Sequence, residues 1–215
     1  MPMHATMFAF GSHVTDEVSA SRQLRGGLAL AADPDTMVIE ACDEPCRTTA
    51  LSEILAAAAG VPALEGLVLV RDDAAIRDPR LLARLRAAFA ADPACGVVGA
   101  VGARSITSLR WWEGVTAGSL STPAGKVELG PPGEVHAVDG ALLALSPAAI
   151  RIAAAEPLPP GAFGHDLEIC WRARLHGLRV LVLATDLHVE GPVLRDDLDG
   201  FEASDHAFRS RWSAA

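Results

Sequence analysis

Cysteines are few in this sequence, and clusters of basic residues are missing. The four cysteines, Cys42, Cys46, Cys95 and Cys170, are too few and too scattered for a disulfide framework in 215 residues, which fits a reducing cytosol. Cys42 and Cys46 could bind zinc, but no second Cys/His pair lies nearby, so inert or buried thiols are the favoured interpretation. The net charge of -9, without any Lys/Arg cluster, argues against nucleic acid or an anionic membrane as the main partner. We therefore expect a cytoplasmic protein with a small ligand.

Long apolar runs and targeting signals are also lacking. Residues 1–10 have neither the charged start nor the long apolar core of a signal peptide. The longest apolar stretch, residues 141–155, is interrupted by Ser146, Pro147 and Arg151, so we expect no membrane span. No G-x-G-x-x-G follows any predicted strand, and a dinucleotide-binding interpretation therefore lacks its fingerprint.

Hydrophobic residues make up 50% of the chain, which is enough for one well-packed domain spanning residues 1–215. Strand-like runs alternate with helix-like ones, the pattern of βαβ units. The predicted strands are residues 6–10, 37–41, 67–70, 97–101 and 179–183, and the predicted helices begin near Thr15, Thr48 or Thr49, Asp78 and Gly164. This alternation predicts an α/β fold in which helices flank a mainly parallel central sheet.

Two segments fall outside the alternation. Residues 113–134 are rich in Gly, Ser, Thr and Pro, which predicts a flexible loop or hairpin, with a disordered excursion as the alternative. Trp111 and Trp112 precede this segment and offer a flat apolar surface on which a sugar could stack, although a core position is the more frequent use of such side chains. Residues 201–215 are expected to form a C-terminal helix and tail.

Two adjacent acids, Asp72 and Asp73, directly follow the apolar run at residues 67–70. Ligands of open α/β sheets bind outside the carboxyl ends of the strands, where such acids can hold a divalent cation against a pyrophosphate. An ordinary polar turn after a strand is the alternative. The pair is therefore a candidate metal-phosphate site whose assignment depends on the rest of the chain.

A second candidate segment, residues 164–177, has the apolar spacing of a helix. Asp166 falls in its first turn, where the helix dipole favours an anion. Glu168 lies four residues before Arg172, the favourable order for an ion pair, so we assign Glu168 to structure and leave Asp166 for chemistry. The alternative for Asp166 is a plain helix-terminal acid. His188, after the last predicted strand, is either a metal ligand or a histidine without a special role.

Taken together, these segments resemble family-2-type glycosyltransferases of the glycosyltransferase-A fold, above all their short bacterial branch, over residues 8–191. The matching pieces in chain order are VTDE at 14–17, Asp43, LVRDD at 69–73 with Asp78 and Pro79, GVVG at 96–99, VDG at 138–140, HDLE at 165–168 with Arg172 and Gly177, and His188. The order and spacing of the pieces carry the resemblance. The sequence departs from the branch at Thr15 and Ser52, where Asn is common, and at His165, where an acid or aromatic is usual. It also has no strict Asp-x-Asp, and we expect no acceptor-specificity domain.

The resemblance implies a binding site for a nucleotide-diphospho-sugar donor. Asp43 matches a contact to the base, and Asp72 matches a position near the ribose. Gly140 matches a point where the backbone lies close to the donor sugar. Thr15 takes the place of a nucleotide-binding Asn.

The resemblance also implies the catalytic and metal-binding groups. Asp166 matches the catalytic base of inverting members. Asp73 matches the acid that binds Mn2+ or Mg2+, and His188 matches a C-terminal histidine that joins the metal and diphosphate site. The sequence leaves the nucleotide, the sugar, the acceptor and the oligomeric state open.

We expect inverting, metal-assisted transfer of a sugar to an acceptor hydroxyl. Nucleotidyl transfer ranks lower, because Gly11, Ser12 and His13 are a poor substitute for a Gly-rich basic phosphate loop. A metal phosphohydrolase of the HD type is disfavoured because that fold is all-helical. The remaining alternative is a non-catalytic glycosyltransferase-like module that binds a nucleotide, a glycan or a partner protein.

Overall fold

The computed structural model describes residues 7–42, 44, 46–161, 163–191 and 198–212 and combines two β-sheets with flanking helices. The helices in these ranges are α1 (Glu17–Ser19), α2 (Arg25–Ala31), α3 (Arg47–Ala59), α4 (Leu81–Ala91), α5 (Pro147–Ala154), α6 (His165–Leu175) and α7 (Leu198–Trp212), with a π-helical turn at Ala20–Leu24 and a 3-10 turn at Trp111–Glu113. The strands are β1 (Met7–His13), β2 (Met37–Ala41), β3 (Leu64–Val70), β4 (Ala74–Ile76), β5 (Cys95–Gly99), β6 (Val101–Ala103), β7 (Thr116–Thr122), β8 (Gly125–Gly130), β9 (Gly133–Val135), β10 (Ala137–Val138), β11 (Leu142–Leu145), β12 (Arg179–Val182) and β13 (Leu187–Val189).

The larger sheet contains seven strands in the order β2-β1-β3-β11-β5-β12-β9. Strand β1 pairs in parallel with β2 and β3, and β12 pairs in parallel with β5. Strand β11 runs antiparallel to both β3 and β5, and β9 runs antiparallel to β12. The α/β prediction is confirmed, but the sheet is mixed rather than mainly parallel. Strand β10 pairs antiparallel with β6, which directly follows β5, and the chain continues from β10 into β11, which pairs antiparallel with β5.

The smaller sheet has the order β10-β6-β7-β13-β4, and β8 pairs with β7 outside that path. The single strand predicted at residues 97–101 is divided at Ala100, so that β5 belongs to the larger sheet and β6 to the smaller one. Within residues 113–134 the structure has the hairpin of β7 and β8 and the start of β9. Strand β13 pairs antiparallel with β4, the strand that directly follows Asp73.

The helix starts depend on short polar contacts. Asp16 caps α1 by accepting from the backbone N of Val18 (2.9 Å) and of Ser19 (3.3 Å). The helix predicted to begin at Asp78 begins instead at Leu81, because Asp78 first accepts from the Arg80 backbone N (2.9 Å) and closes a turn ahead of the helix.

Apolar side chains cover both faces of the larger sheet. Along β3, Leu67 and Leu69 join the cluster beneath α3, α5 and α6, while Val68 and Val70 join the cluster beneath α2 and α4. Each fully buried side chain of this size contributes roughly 1.5–3 kcal/mol of hydrophobic stabilisation. Strand β3 is thus fixed from both sides, and the acids that follow it are held at a defined place.

Helix α7 packs onto the body of the protein through Phe201 and Phe208, which are both buried. Its Asp205 accepts from the Leu109 backbone N at 2.6 Å and from the Arg209 Nε at 2.9 Å. None of the helices in the described part of the chain combines the length and the apolar character that a bilayer crossing requires.

Candidate active site

Asp72 and Thr15 lie together where β3 and β1 end. The Asp72 Oδ2 atom accepts hydrogen bonds from the Thr15 backbone N (2.8 Å), the Thr15 hydroxyl (2.6 Å) and the Asp16 backbone N (3.2 Å). Burial of Asp72 opposes its ionisation, but these hydrogen bonds outweigh burial and lower its pKa. Ser12 ties the same strand ends by donating to the Val70 carbonyl (2.6 Å). The structure thus brings two residues of the predicted donor site into contact and keeps Asp72 ionised.

Asp73 is paired with Arg71, two positions before it. The Arg71 Nε donates to Asp73 Oδ1, and its Nη2 donates to Oδ2 at 3.2 Å, so the ion pair is bidentate. The Asp73 side chain is only 2% exposed. Its backbone carbonyl accepts from the Glu190 N at 3.0 Å, which places the end of β13 beside it. The acid assigned to a metal by resemblance therefore has a guanidinium on both carboxylate oxygens.

His188 lies on β13, opposite Ala75 of the strand that follows Asp73. Its Nε2 is 3.7 Å from Glu190 Oε1, and its Nδ1 is buried without a hydrogen-bond partner among the described residues. Glu190 Oε1 also accepts from the Gln23 Nε2 at 2.6 Å. The structure thus brings His188 to the strand pair that begins at Asp73.

These residues, as arranged, do not fit a divalent metal. Within the ranges that the structure describes, no three side chains of His, Cys, Asp or Glu form a group that could hold a metal ion. Protein sites for Mg2+ and related cations instead present carboxylate oxygens to the ion, and the oxygens of Asp73 are engaged by Arg71. Asp43, assigned to the nucleotide base, lies outside the described residues.

Asp166 stands in the first turn of α6, against Gly140. The turn before the helix contains Gly164 with φ of 87°, a left-handed backbone that favours glycine. Asp166 Oδ2 accepts from the Gly140 N (2.8 Å), and Oδ1 accepts from the Leu167 N (3.0 Å). A Cβ added at Gly140 would lie 3.2 Å from Asp166 Oδ2, so this approach depends on the missing side chain. Two residues of the predicted site that are distant in sequence therefore touch.

The charge of Asp166 is poorly compensated. Burial, followed by the negative charge of Asp139, raises its pKa to about 6, while the Leu167 and Gly140 amides and Arg47 act in the opposite direction. A carboxyl group with a pKa near neutrality is ionised at pH 7 and can accept a proton from a bound hydroxyl. This property matches the work of a general base.

Asp166 borders a cleft of about 90 Å³. The cleft has a charged wall of Arg47, Arg71, Asp139 and Asp166, and an aromatic wall of Trp111, Trp112, Phe163 and Phe201. The ring centroids of Trp112 and Phe201 are 5.9 Å apart, and those of Phe163 and Phe201 are 5.4 Å apart. Trp111 is mostly buried and meets Trp112 edge-on at 6.0 Å. The aromatic wall is thus part of the core packing and also faces the cleft.

Arg47 is the most unusual charged group of the cleft. It is the first residue of α3, and its Nε atom is buried without a hydrogen-bond partner among the described residues. Burial and then repulsion from Arg71 lower its pKa, while Asp166, Asp72 and Asp139 favour its charged form. Sequence reasoning missed both arginines because an isolated Arg belongs to no motif. The one signal was the position of Arg71 beside the two acids.

His165 contributes no positive charge to this region. Its pKa falls to about 3 because of burial, followed by the charges of Arg47 and His13, so the imidazole stays neutral. The positive charges of the cleft therefore come from the guanidinium groups of Arg47 and Arg71.

Glu168 has the structural role predicted for it. Its Oε1 accepts from the Arg172 Nε at 2.9 Å. Its Oε2 accepts from the Trp212 Nε1 at 2.8 Å and from the Arg211 Nη1 at 3.3 Å. Glu168 therefore joins α6 to the end of α7.

Ser52 makes structural contacts, and the two cysteines considered as zinc ligands are free thiols. Ser52 donates to the Thr48 carbonyl (2.8 Å) and accepts from the Leu158 N (3.2 Å), contacts that hold α3 in place. Cys42 and Cys46 are free and exposed, and they form no metal-binding group with other described residues.

A larger cavity lies elsewhere, between α5, α6 and α7. It measures about 790 Å³ and is lined by side chains such as Ile152, Leu158 and Arg172. None of the residues assigned to the donor, the base or the metal lines it. The candidate site is distinguished by its charged groups and not by its size.

Solved structures share this arrangement of strands and helices at low sequence identity. A197 from STIV matches with a TM-score of 0.54 and 11% identity over 83% of this chain and 82% of that chain. GalNAc-T7, solved with UDP, GalNAc and Mn2+, matches with a TM-score of 0.56 and 10% identity over 86% of this chain. The matched part spans 44% of the GalNAc-T7 chain. No family model matches the sequence, and no curated protein matches it.

At these identities the likeness shows the fold alone. The chain shares the fold of these two solved structures, and membership of the glycosyltransferase-A superfamily and of family 2 stays a prediction.

Proposed function

We propose that the protein transfers a sugar from a nucleotide-diphospho-sugar to an acceptor hydroxyl, with inversion at the anomeric carbon. The proposal is carried by Asp166, an acid with a pKa near neutrality that contacts Gly140 in a cleft beside the strand ends. The fold shared with GalNAc-T7, which was solved with UDP and GalNAc, supports the same reaction class.

In the proposed reaction, Asp166 accepts the proton of the acceptor hydroxyl while that oxygen attacks the anomeric carbon. The bond between the anomeric carbon and the diphosphate oxygen breaks, and its electron pair leaves with the nucleoside diphosphate. The amides of Gly140 and Leu167 hold the carboxylate in one orientation. The reaction thus consumes a donor and an alcohol and yields a glycoside, a nucleoside diphosphate and a proton.

For the donor we propose the strand ends around Asp72. Asp72 and Thr15 would meet the ribose and the nucleotide, Asp43 the base, and Gly140 the sugar. The fixed carboxylate of Asp72, which already holds the Thr15 loop, supports this placement.

Metal assistance by Mn2+ or Mg2+ at Asp73 and His188 remains a prediction of the resemblance. Because Arg71 occupies the Asp73 carboxylate, no step of the proposed reaction passes through a metal.

A non-catalytic binding module is the second candidate, and the replaced Asn positions favour it. Thr15 and Ser52 stand where the resembled branch commonly has Asn, and the Ser52 hydroxyl is engaged by the Thr48 carbonyl and the Leu158 N. Such a module would bind a nucleotide or glycan without turnover.

The experiment that separates the two candidates measures binding and turnover together. Thermal shifts with UDP, GDP, dTDP and CDP identify the nucleotide. Sugar nucleotides of that base are then tested for slow release of the diphosphate, and NMR coupling constants give the anomeric configuration of the product. Release with inversion supports the transferase, and binding without release supports the module. Binding of none of the four nucleotides, with or without metal, contradicts both the transferase and a nucleotide-binding module.

A further inference from the structure

Two guanidinium groups, Arg47 and Arg71, face the same cleft as Asp166. Arg71 directly follows β3, and Arg47 is the first residue of α3. The charge of Arg71 acts to lower the pKa of Arg47, and the nearby Asp139 and Asp166 act to raise the pKa of both arginines. The two cations are therefore close enough to interact electrostatically. The first turn of α3 contains no acid that would offset Arg47.

Arg71 keeps donors available after pairing with Asp73. A guanidinium carries five N–H donors, and Asp73 takes two of them, from Nε and Nη2. No further hydrogen bond joins the Arg71 side chain to a residue of the described ranges. The ion pair thus fixes the plane of the guanidinium while leaving it able to bind a second anion.

Arg47 is compensated less well than Arg71. No carboxylate of the described residues lies within 4.0 Å of its nitrogen atoms, and its buried Nε lacks an acceptor. A buried donor without a partner destabilises the folded protein, and more so when the group is charged. Such destabilisation is expected where a ligand supplies the missing acceptor.

The arrangement also explains the poor fit for a metal. A divalent cation at Asp73 would have to displace the Arg71 guanidinium and would add charge beside two cations. Two guanidinium groups provide the same formal charge as the predicted metal ion, and Arg is well suited to bidentate phosphate binding.

We propose that Arg47 and Arg71 bind the diphosphate of the donor in place of a divalent metal, so that donor binding is metal-independent. This inference rests on the proposed function. The narrow cleft is suited to one charged group of a ligand, with the remainder of the donor lying along the strand ends near Asp72. As the diphosphate leaves, the two cations would offset the negative charge that develops on it.

The test uses the full chain and isothermal titration with the nucleoside diphosphate that binds, and separately with inorganic pyrophosphate, in EDTA and in Mn2+. We expect binding in EDTA, with a Kd within about threefold of that in Mn2+. We expect Arg47→Gln to weaken binding at least tenfold, as loss of a charge-assisted contact of about 1.4 kcal/mol or more would do. Arg80→Gln is the matched control, because Arg80 also stands at a helix N-terminus but is exposed; its binding should not change.

Folding of the variants is checked by thermal unfolding. Arg47→Gln removes a poorly compensated charge and should unfold at or above the wild-type temperature. Arg47→Lys is a second variant that keeps the charge but loses the planar fork, and we expect it to bind with intermediate affinity.

The outcomes separate the inference from the proposed function. Binding that appears only with Mn2+ or Mg2+ and is lost in EDTA overturns the inference and leaves the transferase proposal intact. Unchanged binding by Arg47→Gln also overturns it. Tighter binding of glucuronate than of pyrophosphate assigns the arginines to a sugar carboxylate and overturns the diphosphate assignment. No binding of any nucleotide or of pyrophosphate, in either buffer, overturns the proposed function itself.

Discussion

Asp166 and Glu168 lie two positions apart on the same helix, yet their surroundings are opposite. Glu168 is neutralised by Arg172 and Arg211 and completed by the Trp212 indole. Asp166 receives two backbone amides, and burial and a second acid raise its pKa to about 6. Glu168 is a fully paired structural acid, whereas Asp166 can still take up a proton near neutral pH. Charge compensation, more than burial, separates the structural acid from the candidate catalytic one.

The largest expected effect comes from Asp166→Asn. We expect turnover to fall by about 10²- to 10⁴-fold, because an amide can still accept from Gly140 but cannot take a proton. Release of the diphosphate from the sugar nucleotide measures it. Asp199→Asn, an exposed acid in the first turn of α7, should leave turnover unchanged. Full activity in Asp166→Asn would remove the base assignment and with it the comparison.

The second effect concerns the structural acid. Glu168→Ala leaves two arginines and an indole without their acceptor, so we expect a loss of about 3 kcal/mol in the free energy of unfolding. Urea unfolding measures this loss. Glu156→Ala, at an exposed acid, is the control and should change stability by less than about 0.5 kcal/mol. A Glu168→Ala protein as stable as wild type would contradict the structural role of Glu168 and remove its contrast with Asp166.

The third effect is a pH dependence. Because the folded pKa of Asp166 is raised from 3.8 to about 6, the folded state binds more protons between these values, and stability falls as pH rises from about 4 to about 6. The shift corresponds to at most about 3 kcal/mol. Asp166→Asn should lose this dependence and gain stability relative to wild type above pH 6.

Over the same pH range, turnover should rise with pH as Asp166 ionises, with a midpoint near its pKa of about 6. Thermal unfolding and turnover are measured from pH 4 to 8 in matched buffers. Parallel stability curves for wild type and Asp166→Asn would contradict the raised pKa.

The smallest effect tests Asp72, a third acid that is satisfied by neutral donors. Thr15→Ala removes the hydroxyl donor but keeps the backbone amide, so we expect a loss of about 1–2 kcal/mol in stability. Nucleotide affinity should fall several-fold, because the Thr15 loop is less well fixed. Thr36→Ala, which removes a hydroxyl contact to the Asp33 backbone far from the site, is the control. Equal effects of the two changes would remove Thr15 from the proposed donor site.

Local patterns predicted the elements that carry the site. The strand at residues 37–41, the helix of Asp166 and the Glu168–Arg172 pair follow from spacing along the chain, and the structure has them. The resemblance assigned Asp166 and Gly140 to one site, but nothing in the sequence predicted their contact, since no local rule joins residues 26 positions apart. The roles of these residues in binding and catalysis stay predictions.

Long-range pairings could not be read from the sequence. The antiparallel entry of β11 depends on which strands it joins, and the apolar run at residues 142–145 is compatible with either direction. Arg47 and Phe201 reach the cleft only because α3 and α7 pack where they do. An arginine or phenylalanine outside a motif gives no sequence signal of such a position.

The tryptophans divide into two groups, and this gives the protein its own optical reporters. The chain has four tryptophans and no tyrosine, so its near-ultraviolet emission arises from indoles alone. Trp111 and Trp112 border the cleft, whereas Trp171 and Trp212 contact each other with tilted rings, 5.5 Å between centroids, where α7 meets α6. Replacing Trp171 and Trp212 by Phe would leave emission that responds to occupancy of the cleft. The reverse pair of replacements would leave emission that responds to undocking of the last helix.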